Sequence, residues 1–208
     1  MGITEPAVDR YLEDLLPERD AVLQEMEALA RERRIPIIGP VVGRFVYQLI
    51  RLVKARNIFE MGSAIGYSTI WMARAAGEGA TVYYTDSDPA NARLARGFFE
   101  RADVVERIRI LEGDALELLQ RTPGTFDVIF NDVDKKDYPQ VFPLAVPRIR
   151  SGGLFLADNV LWRGQVAGPP PDETTRAIAE FNRLLYSSPD LFPSILPLRD
   201  GFAVCEKR

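Results

Sequence analysis

The stretch Phe130-Asn131-Asp132-Val133-Asp134-Lys135-Lys136-Asp137-Tyr138 marks the point where an apolar run gives way abruptly to charge. The run before it, residues 126–130, is short and mostly apolar, which is typical of a buried strand followed by a loop. Open α/β sheets bind ligands outside the carboxyl ends of their strands. The stretch therefore predicts that Asp132 lies at such an edge, with Lys135 close to it.

A second polar pair follows another apolar run, because residues 154–157 lead into Asp158-Asn159. Together with Asp132, this pair offers two carboxylates and an amide, and Mg²⁺ prefers oxygen ligands with only a few of them from protein. The pattern predicts a divalent-cation site that leaves positions for both hydroxyls of a vicinal diol such as a catechol. The alternative is that Asp158-Asn159 is only a turn after a strand.

Composition narrows the possible chemistry. The chain has 208 residues, a single cysteine at Cys205 and no histidine. The absence of histidine excludes Ser-His-Asp and Cys-His catalysis and histidine-bound zinc. A general base must then be Asp, Glu, Lys, Tyr or water. Lys135 is the candidate, with a pKa lowered by enclosure and a nearby cation, and the alternative is that residues 135–137 form a solvated charge run.

Length and charge indicate the class of protein. The length suits a single domain spanning residues 1–208. The net charge of −4 gives no attraction to nucleic acid or an anionic membrane. No apolar stretch is long enough for a spanning helix, and residues 1–14 lack the layout of a signal peptide, so we expect a cytoplasmic location.

Apolar periodicity divides the chain into N-terminal helices over residues 1–55 and an α/β core over residues 56–208. The helical stripes in 8–16, 22–29 and 42–53 are expected to be core or dimer contacts. In the second part, short apolar runs alternate with helical segments, which predicts a parallel sheet. Strands are expected near 57–62, 80–86, 107–112, 126–131 and 153–158, helices near 67–76, 89–102, 115–121, 138–148 and 173–187, and a final strand pair within 192–205.

A glycine turn follows the first predicted strand, in Glu60-Met61-Gly62-Ser63-Ala64-Ile65-Gly66-Tyr67-Ser68. Gly62 and Gly66 have no Cβ where the backbone must turn or approach a ligand. Their spacing differs from the G-x-G-x-x-G of dinucleotide binders, so the loop is not expected to hold a pyrophosphate. An ordinary turn is the alternative.

Two acidic residues extend this pattern. Asp86 ends the second predicted strand, where a carboxylate can grip ribose hydroxyls. Asp114, in Gly113-Asp114-Ala115, follows the third strand, where a carboxylate can meet an adenine amine. Either residue could instead cap the next helix. Their order along one βαβαβ unit predicts an adenosine-type cofactor without pyrophosphate, and S-adenosylmethionine (SAM) fits.

As an ordered set, these motifs resemble the cation-dependent class I O-methyltransferases related to catechol and caffeoyl-CoA O-methyltransferases. The resemblance covers residues 38–208 and rests on Glu60-x-Gly62-x-x-x-Gly66-Tyr67-Ser68, Asp86-Ser87-Asp88-Pro89, Gly113-Asp114-Ala115, Asp132-Val133-Asp134-Lys135 and Ala157-Asp158-Asn159-Val160-Leu161-Trp162. It implies a Rossmann-like α/β fold with a seven-stranded, mostly parallel sheet, one antiparallel strand, helices on both faces and N-terminal helices. It also implies a homodimer.

The resemblance assigns roles to individual residues. It implies that Lys135 is the catalytic base and that the acceptor is a small phenolic, catechol-like molecule. It implies a divalent cation, Mg²⁺ with Ca²⁺ or Mn²⁺ as alternatives, held by Asp132, Asp158 and Asn159. The implied SAM site consists of Glu60, Gly62, Gly66, Tyr67, Ser68, Asp86, Asp114, Ala115 and Asp132. Asp134 is expected either to cap a helix or to support Lys135.

The sequence departs from the family at Asn131, which replaces an apolar residue and should need a local hydrogen bond or solvent. No extra substrate-recognition insert is evident near the N-terminus, so a coenzyme A ester is not expected. Two other functions suit a similar sheet. A nucleotide-dependent oxidoreductase is disfavoured by the missing G-x-G-x-x-G, and a non-catalytic adenosine-ligand binding protein is disfavoured by the complete set of ligands and lysine.

Overall fold

A seven-stranded sheet forms the centre of the computed structural model, which describes residues 3–208. The strands are β1 (Asn57–Met61), β2 (Thr81–Asp86), β3 (Ile108–Glu112), β4 (Phe126–Asn131), β5 (Ile149–Asp158), β6 (Leu191–Leu196) and β7 (Phe202–Lys207). Their order across the sheet is β3-β2-β1-β4-β5-β7-β6. Neighbouring strands from β3 to β5 pair in parallel, whereas β7 is antiparallel to both of its neighbours. The predicted sheet and its final strand pair are confirmed.

Helices cover both faces of this sheet. They are α1 (Pro6–Asp14), α2 (Ala21–Arg33), α3 (Gly39–Leu52), α4 (Tyr67–Ala76), α5 (Pro89–Arg101), α6 (Ala115–Arg121), α7 (Tyr138–Ala145) and α8 (Glu173–Ser187). One apolar cluster joins α2–α5 to the sheet, and a second joins α6–α8 to the opposite face. The prediction of helices on both faces is therefore confirmed. No helix within residues 3–208 is long and apolar enough to cross a membrane.

The register of three neighbouring strands aligns their carboxyl ends. Met61 at the end of β1 pairs with Asn131 of β4, and Asn131 pairs with Ala157 of β5. The residues that follow, Gly62 and Asp132, therefore emerge at the same edge as Asp158. Strand order reverses between β1 and β4, which is where open α/β sheets form their ligand crevice.

Two predicted boundaries were wrong. Helix α7 ends at Ala145, and residues Val146–Arg148 form a tighter 3-10 turn, because Pro147 has no N–H with which to extend the α-helical ladder. Strand β5 begins at Ile149 instead of 153, and it contains an irregular register opposite Phe126. A Cβ at Gly153 would lie 2.6 Å from the Asp127 carbonyl oxygen, so glycine permits the close approach of strands here.

The N-terminal stripes had different outcomes. Helices α2 and α3 contribute to the core, as predicted. Helix α1 does not, since none of its residues is buried and Tyr11 is 62% exposed. The core alternative is therefore wrong for α1, whereas the dimer alternative stays a prediction. Helix α1 lies beside the large cavity, and its Leu12 lines the wall. Helix α2 begins at Ala21, because the Asp20 side chain accepts the N–H groups of Val22 and Leu23.

Candidate active site at the carboxyl edge of the sheet

A cavity of about 1110 Å³ opens at the carboxyl edge of the parallel strands. The loops after β1 to β5 line it, together with residues of helix α1 and of the segment 34–41. It brings together many of the predicted site residues: Gly62, Asp86, Asp114, Ala115, Asp132, Lys135, Asp158 and Asn159. Residues far apart in the chain thus share one space, as the strand-end reasoning predicted.

Gly62 allows two of these loops to touch. Its φ is +81°, and a Cβ there would lie 2.7 Å from the carbonyl oxygen of Asp132. The Asp132 N–H donates to the Met61 carbonyl at 2.8 Å, which holds the loops together. Glycine is required here by contact between protein segments as well as by any approach of a ligand.

Gly66 has a similar packing role. It precedes α4 with a φ of +83°, and a Cβ would lie 2.5 Å from Cζ of the Phe99 ring. Phe99 itself is fully buried on α5. Gly66 therefore allows the turn to pack closely against Phe99 of α5, and it does not line the cavity.

Three side chains of the predicted SAM site, those of Glu60, Tyr67 and Ser68, are buried and do not line the cavity. Glu60 is fully buried, accepts a hydrogen bond from the Thr69 hydroxyl, and does not line the cavity. Burial raises the pKa of Glu60 to about 7, against hydrogen bonds from Ser68, Thr69 and Ser63 that lower it. The Tyr67 hydroxyl donates to Glu27 at 2.7 Å, away from the cavity. Any cofactor contact of Tyr67 would therefore come from its backbone.

Asp86 is held in place by groups on three sides. Its carboxylate accepts the N–H of Ala64 at 3.0 Å, the N–H of Asp88 at 2.8 Å and the side-chain amide of Asn91 at 3.1 Å. The cap of α5 is Asp88, which accepts the Ala90 N–H, so the capping alternative for Asp86 is wrong. The arrangement presents a carboxylate of fixed orientation to the cavity. Asn91, which sequence reasoning missed, carries no motif that separates it from other residues of the helix.

Asp114 caps α6, because its side chain accepts the Glu117 N–H at 2.9 Å. The capping alternative is confirmed for this residue. Asp114 also lines the cavity beside Ala115, and a carboxylate has enough lone pairs to serve both a cap and a ligand.

Lys135 and Asp132 form an ion pair within the cavity. The Lys135 ammonium lies 2.5 Å from Asp132 Oδ1, 3.1 Å from the Val133 carbonyl oxygen and 5.2 Å from the centre of the Tyr138 ring. Burial lowers the pKa of Lys135, but Tyr138 and the Asp132 carboxylate outweigh it and raise the pKa above its ordinary value. The groups of the chain alone therefore raise this pKa, and the lowering expected beside a bound cation stays a prediction.

Asp158 is 2% exposed, and its Oδ1 has no hydrogen-bond partner among the described residues. Burial and the charge of Asp132 together raise its pKa to about 7, against Arg199 and Lys135, which lower it. Tyr138, which sequence reasoning did not assign to the site, donates its hydroxyl to the Asp158 carbonyl at 2.8 Å. Asn159 follows in the left-handed region with a φ of +59°.

These features fit a divalent cation. Two carboxylates repel each other in a cavity, one of them has a buried oxygen without a partner, and Asn159 adds an amide beside them. A cation would relieve both the repulsion and the missing contact, and all the donors are hard oxygens. The described residues hold no cluster of three or more acidic, histidine or cysteine side chains around a metal position, so the fit depends on the amide oxygen of Asn159.

Asp134 and Lys136, the charged residues on either side of Lys135, differ in what they contact. The Asp134 side chain accepts the Lys136 N–H at 3.1 Å and caps the short 3-10 helix Lys135–Asp137, as one of the two alternatives predicted. Lys136 is largely exposed.

Asn131 is fully buried, and both its amide atoms lack a partner among residues 3–208, so the expected hydrogen bond or solvent contact is absent there.

Arg199 is a further cavity residue that sequence reasoning missed. It lies in the left-handed region with a φ of +52°, and its guanidinium donates to the carbonyls of Ile37 and Ile38. It thereby ties the β6–β7 connection to the segment before α3. The adjoining Asp200-Gly201 pair signals the turn, but nothing in the sequence indicates the direction of the arginine side chain.

Comparisons with known proteins agree with this geometry. A family model described as O-methyltransferase matches residues 17–208. A catechol O-methyltransferase from Niastella koreensis is 36% identical over 92% of this chain and 90% of its own. Caffeoyl-CoA O-methyltransferase 1 from Arabidopsis thaliana is 32% identical over 79% of this chain and 69% of its own. The crystal structure of an O-methyltransferase from Bacillus cereus in complex with SAH is 32% identical, covers 97% of both chains and has a TM-score of 0.88.

Proposed function

Since the chain belongs to the O-methyltransferase family and is a SAM-dependent O-methyltransferase, we propose that it methylates one hydroxyl of a small catechol-like aromatic with the aid of a divalent cation. The observation that carries the proposal is the buried, unpartnered Oδ1 of Asp158, which lies in the same cavity as Asp132 and Lys135. The similarity to a catechol O-methyltransferase along most of both chains supports a vicinal diol as acceptor.

In this proposal Asp132, Asp158 and Asn159 hold the cation, which is Mg²⁺ or alternatively Ca²⁺ or Mn²⁺. When bound, SAM supplies an electrophilic methyl group and the cation lowers the pKa of a coordinated hydroxyl. Asp86 orients a ribose through the carboxylate that Ala64 and Asn91 fix. Asp114, beside Ala115, faces the adenine.

Lys135 handles the proton of the acceptor hydroxyl. Its Nζ is held by Asp132 and the Val133 carbonyl, so the position of the ammonium is set before the acceptor binds. Asp132 is among the groups that raise the pKa of Lys135, while burial lowers it. If the Asp132 carboxylate bound the cation, it would raise the pKa of Lys135 less. The protonation equilibrium of Lys135 would then shift toward the neutral amine, which is the form that a general base needs.

We also propose that the protein acts in the cytoplasm as a homodimer of single-domain chains. The exposed side chains of Tyr11 on α1 and of Leu15 directly after it, 62% and 61% exposed, support a contact between two copies. Light scattering coupled to size exclusion would measure the mass of the assembly, and a monomer at micromolar concentration would contradict this part of the proposal.

The first test is transfer of a labelled methyl group from SAM to a simple catechol. We expect turnover with Mg²⁺, loss of turnover with excess chelator, and recovery when Mg²⁺ is restored. Turnover that persists with the chelator would refute the cation, and absence of turnover despite SAM binding would refute the catechol-like acceptor.

The second test separates the cation ligand from the cofactor site. Asp158→Asn should abolish transfer and leave the Kd for SAM unchanged, because Asp158 lies apart from the β1–β3 loops that face the cofactor. The matched control is Asp190→Asn, a carboxylate that is 63% exposed and precedes β6 at the opposite edge of the sheet. Full activity in the Asp158 variant would contradict the role of this ligand.

A further inference from the structure

A buried carboxylate lies in the N-terminal layer, outside the cavity. Glu27 of α2 is 5% exposed and accepts hydrogen bonds from Arg19 Nε at 3.0 Å, Arg19 Nη2 at 2.8 Å and the Tyr67 hydroxyl at 2.7 Å. Burial raises the pKa of Glu27, but the bonds from Arg19 and Tyr67 lower it overall. A buried charge with a complete set of donors favours a single geometry, because any other arrangement leaves it unsatisfied. The methyl-transfer chemistry does not use this group.

Tyr67, which donates to this carboxylate, connects it to the glycine turn of residues 62–66, the cofactor turn. It is the first residue of α4, directly after Gly66, and its ring is 1% exposed. The ring packs edge-on against Trp71, with centroids 6.4 Å apart. Its hydroxyl therefore anchors the C-terminal end of the turn to α2.

The other end of the turn is anchored to the sheet. The Ala64 N–H donates to Asp86 at 3.0 Å, and its carbonyl accepts the Tyr84 hydroxyl at 2.6 Å. Gly62 and Ala64, at the sheet-anchored end of the turn, line the cavity. The shape that the turn offers to a ligand thus depends on the sheet at one end and on Glu27 at the other.

We propose that Glu27, oriented by Arg19, is a positioning residue for SAM: through the Tyr67 hydroxyl it holds the turn of residues 62–66 in the shape that binds the cofactor. This inference rests on the proposed cofactor site. Glu27 touches neither SAM nor the acceptor, so it acts on cofactor affinity through Tyr67. A role confined to joining α2 to α4 would affect unfolding without affecting that affinity.

The chain provides a matched control for this distinction. Arg74 Nη1 lies 2.6 Å from Asp20 Oδ2, so this ion pair also links α4 to the start of α2. Arg74 lies in the last turn of α4, whereas Tyr67 is its first residue. Arg74→Gln therefore removes a link between the same two elements at the end remote from the cofactor turn.

The experiment compares the full-length wild type with Tyr67→Phe, Glu27→Gln, their combination and Arg74→Gln. Calorimetry gives the Kd for SAM at 25 °C, steady-state kinetics give KM for SAM and for catechol, and urea titration reports unfolding. We expect Tyr67→Phe to raise Kd and KM for SAM by about tenfold, equivalent to about 1.4 kcal/mol, with KM for catechol unchanged. The double variant should be no weaker than the worse single variant, since both break one interaction.

Arg74→Gln should leave the Kd for SAM at the wild-type value. An unchanged Kd in Tyr67→Phe, or an equal rise in Arg74→Gln, would overturn the inference. Tyr67→Phe removes a single oxygen atom, so it carries the test even if Glu27→Gln fails to fold. Wild-type protein that bound no SAM would overturn the proposed function itself, which is a different result from normal wild-type binding with an insensitive Tyr67→Phe.

Discussion

Replacing Gly66 with alanine should lower the free energy of unfolding by about 3 kcal/mol. An L-residue in the left-handed region costs about 1–2 kcal/mol, and Gly66 has a φ of +83°. The new Cβ would also lie 2.5 Å from Cζ of Phe99 and 3.2 Å from Cβ of Ala95, and overpacking of a buried site costs about 1–3 kcal/mol. The two contributions are independent, so their sum is the expected loss.

Urea unfolding at 25 °C measures this loss, with Gly79→Ala as the control. Gly79 has a φ of +73°, and a Cβ there would meet nothing within 4 Å. The control should therefore lose only about 1–2 kcal/mol, from the backbone conformation alone. Equal m-values in the three proteins would show that the denatured states are comparable.

Equal losses in Gly66→Ala and Gly79→Ala would refute the reasoning, because the Phe99 contact would then contribute nothing. A second comparison uses Phe99→Leu, which removes the ring atoms nearest to Gly66. In that background the cost of Gly66→Ala should shrink toward the value of the control. A cost unchanged by Phe99→Leu would place the strain elsewhere in the turn.

Three further changes test the site. Burial raises the pKa of Glu60 from 4.5 to about 7, so the unfolded chain loses this proton first, and Glu60 should lower the free energy of unfolding by about 3 kcal/mol as pH rises from 4.5 to 7. Urea titrations of Glu60→Gln should lack this contribution, and a pH dependence identical to that of the wild type would contradict the raised pKa of Glu60. Lys135→Met should lower kcat by at least about 100-fold with an unchanged Kd for SAM, whereas the control Lys136→Met, at an exposed position, should retain activity. Comparable kcat values in the two variants would exclude Lys135 from proton transfer. Tyr138→Phe leaves the buried Asp158 carbonyl without its donor and should lower the free energy of unfolding in urea by about 1–3 kcal/mol. An unchanged free energy of unfolding would show that this hydrogen bond does not stabilise the fold.

The strand ends were predictable because their physical basis is local. An apolar run must be buried, and the first carboxylate after it must reach the edge of the sheet, so Asp132 and Asp158 could be placed near each other without knowing the intervening fold. Proline and glycine were less informative. The tightening at Pro147 and the extension of β5 through Gly152-Gly153 depend on neighbours that only the folded chain provides.

The directions of side chains were not predictable for the same reason. Tyr67 adjoins the cofactor turn in sequence, yet its hydroxyl bonds to a carboxylate 40 residues earlier in the chain. Burial lowers the pKa of Lys135, but contacts with Tyr138 and Asp132 raise it overall, and no local pattern indicates those contacts. Asn131 interrupts an apolar strand, and the structure buries it fully without a partner among residues 3–208. Each outcome depends on contacts between segments that no local pattern encodes.

The position of β7 between β5 and β6 has a consequence for the order of events during synthesis. Strand β5, which carries Asp158, is complete long before residues Phe202–Lys207 leave the ribosome, and until then one of its sides is an open edge. Such an edge can pair with other chains, and apolar side chains of β5 would be exposed with it. The nascent protein can pair β5 with β4 first, but β5 and its Asp158 end gain a neighbour on the second side only when β7 inserts. A ribosome-stalled chain ending before Phe202 should accordingly be aggregation-prone and inactive, even though every residue proposed for the site has already been made.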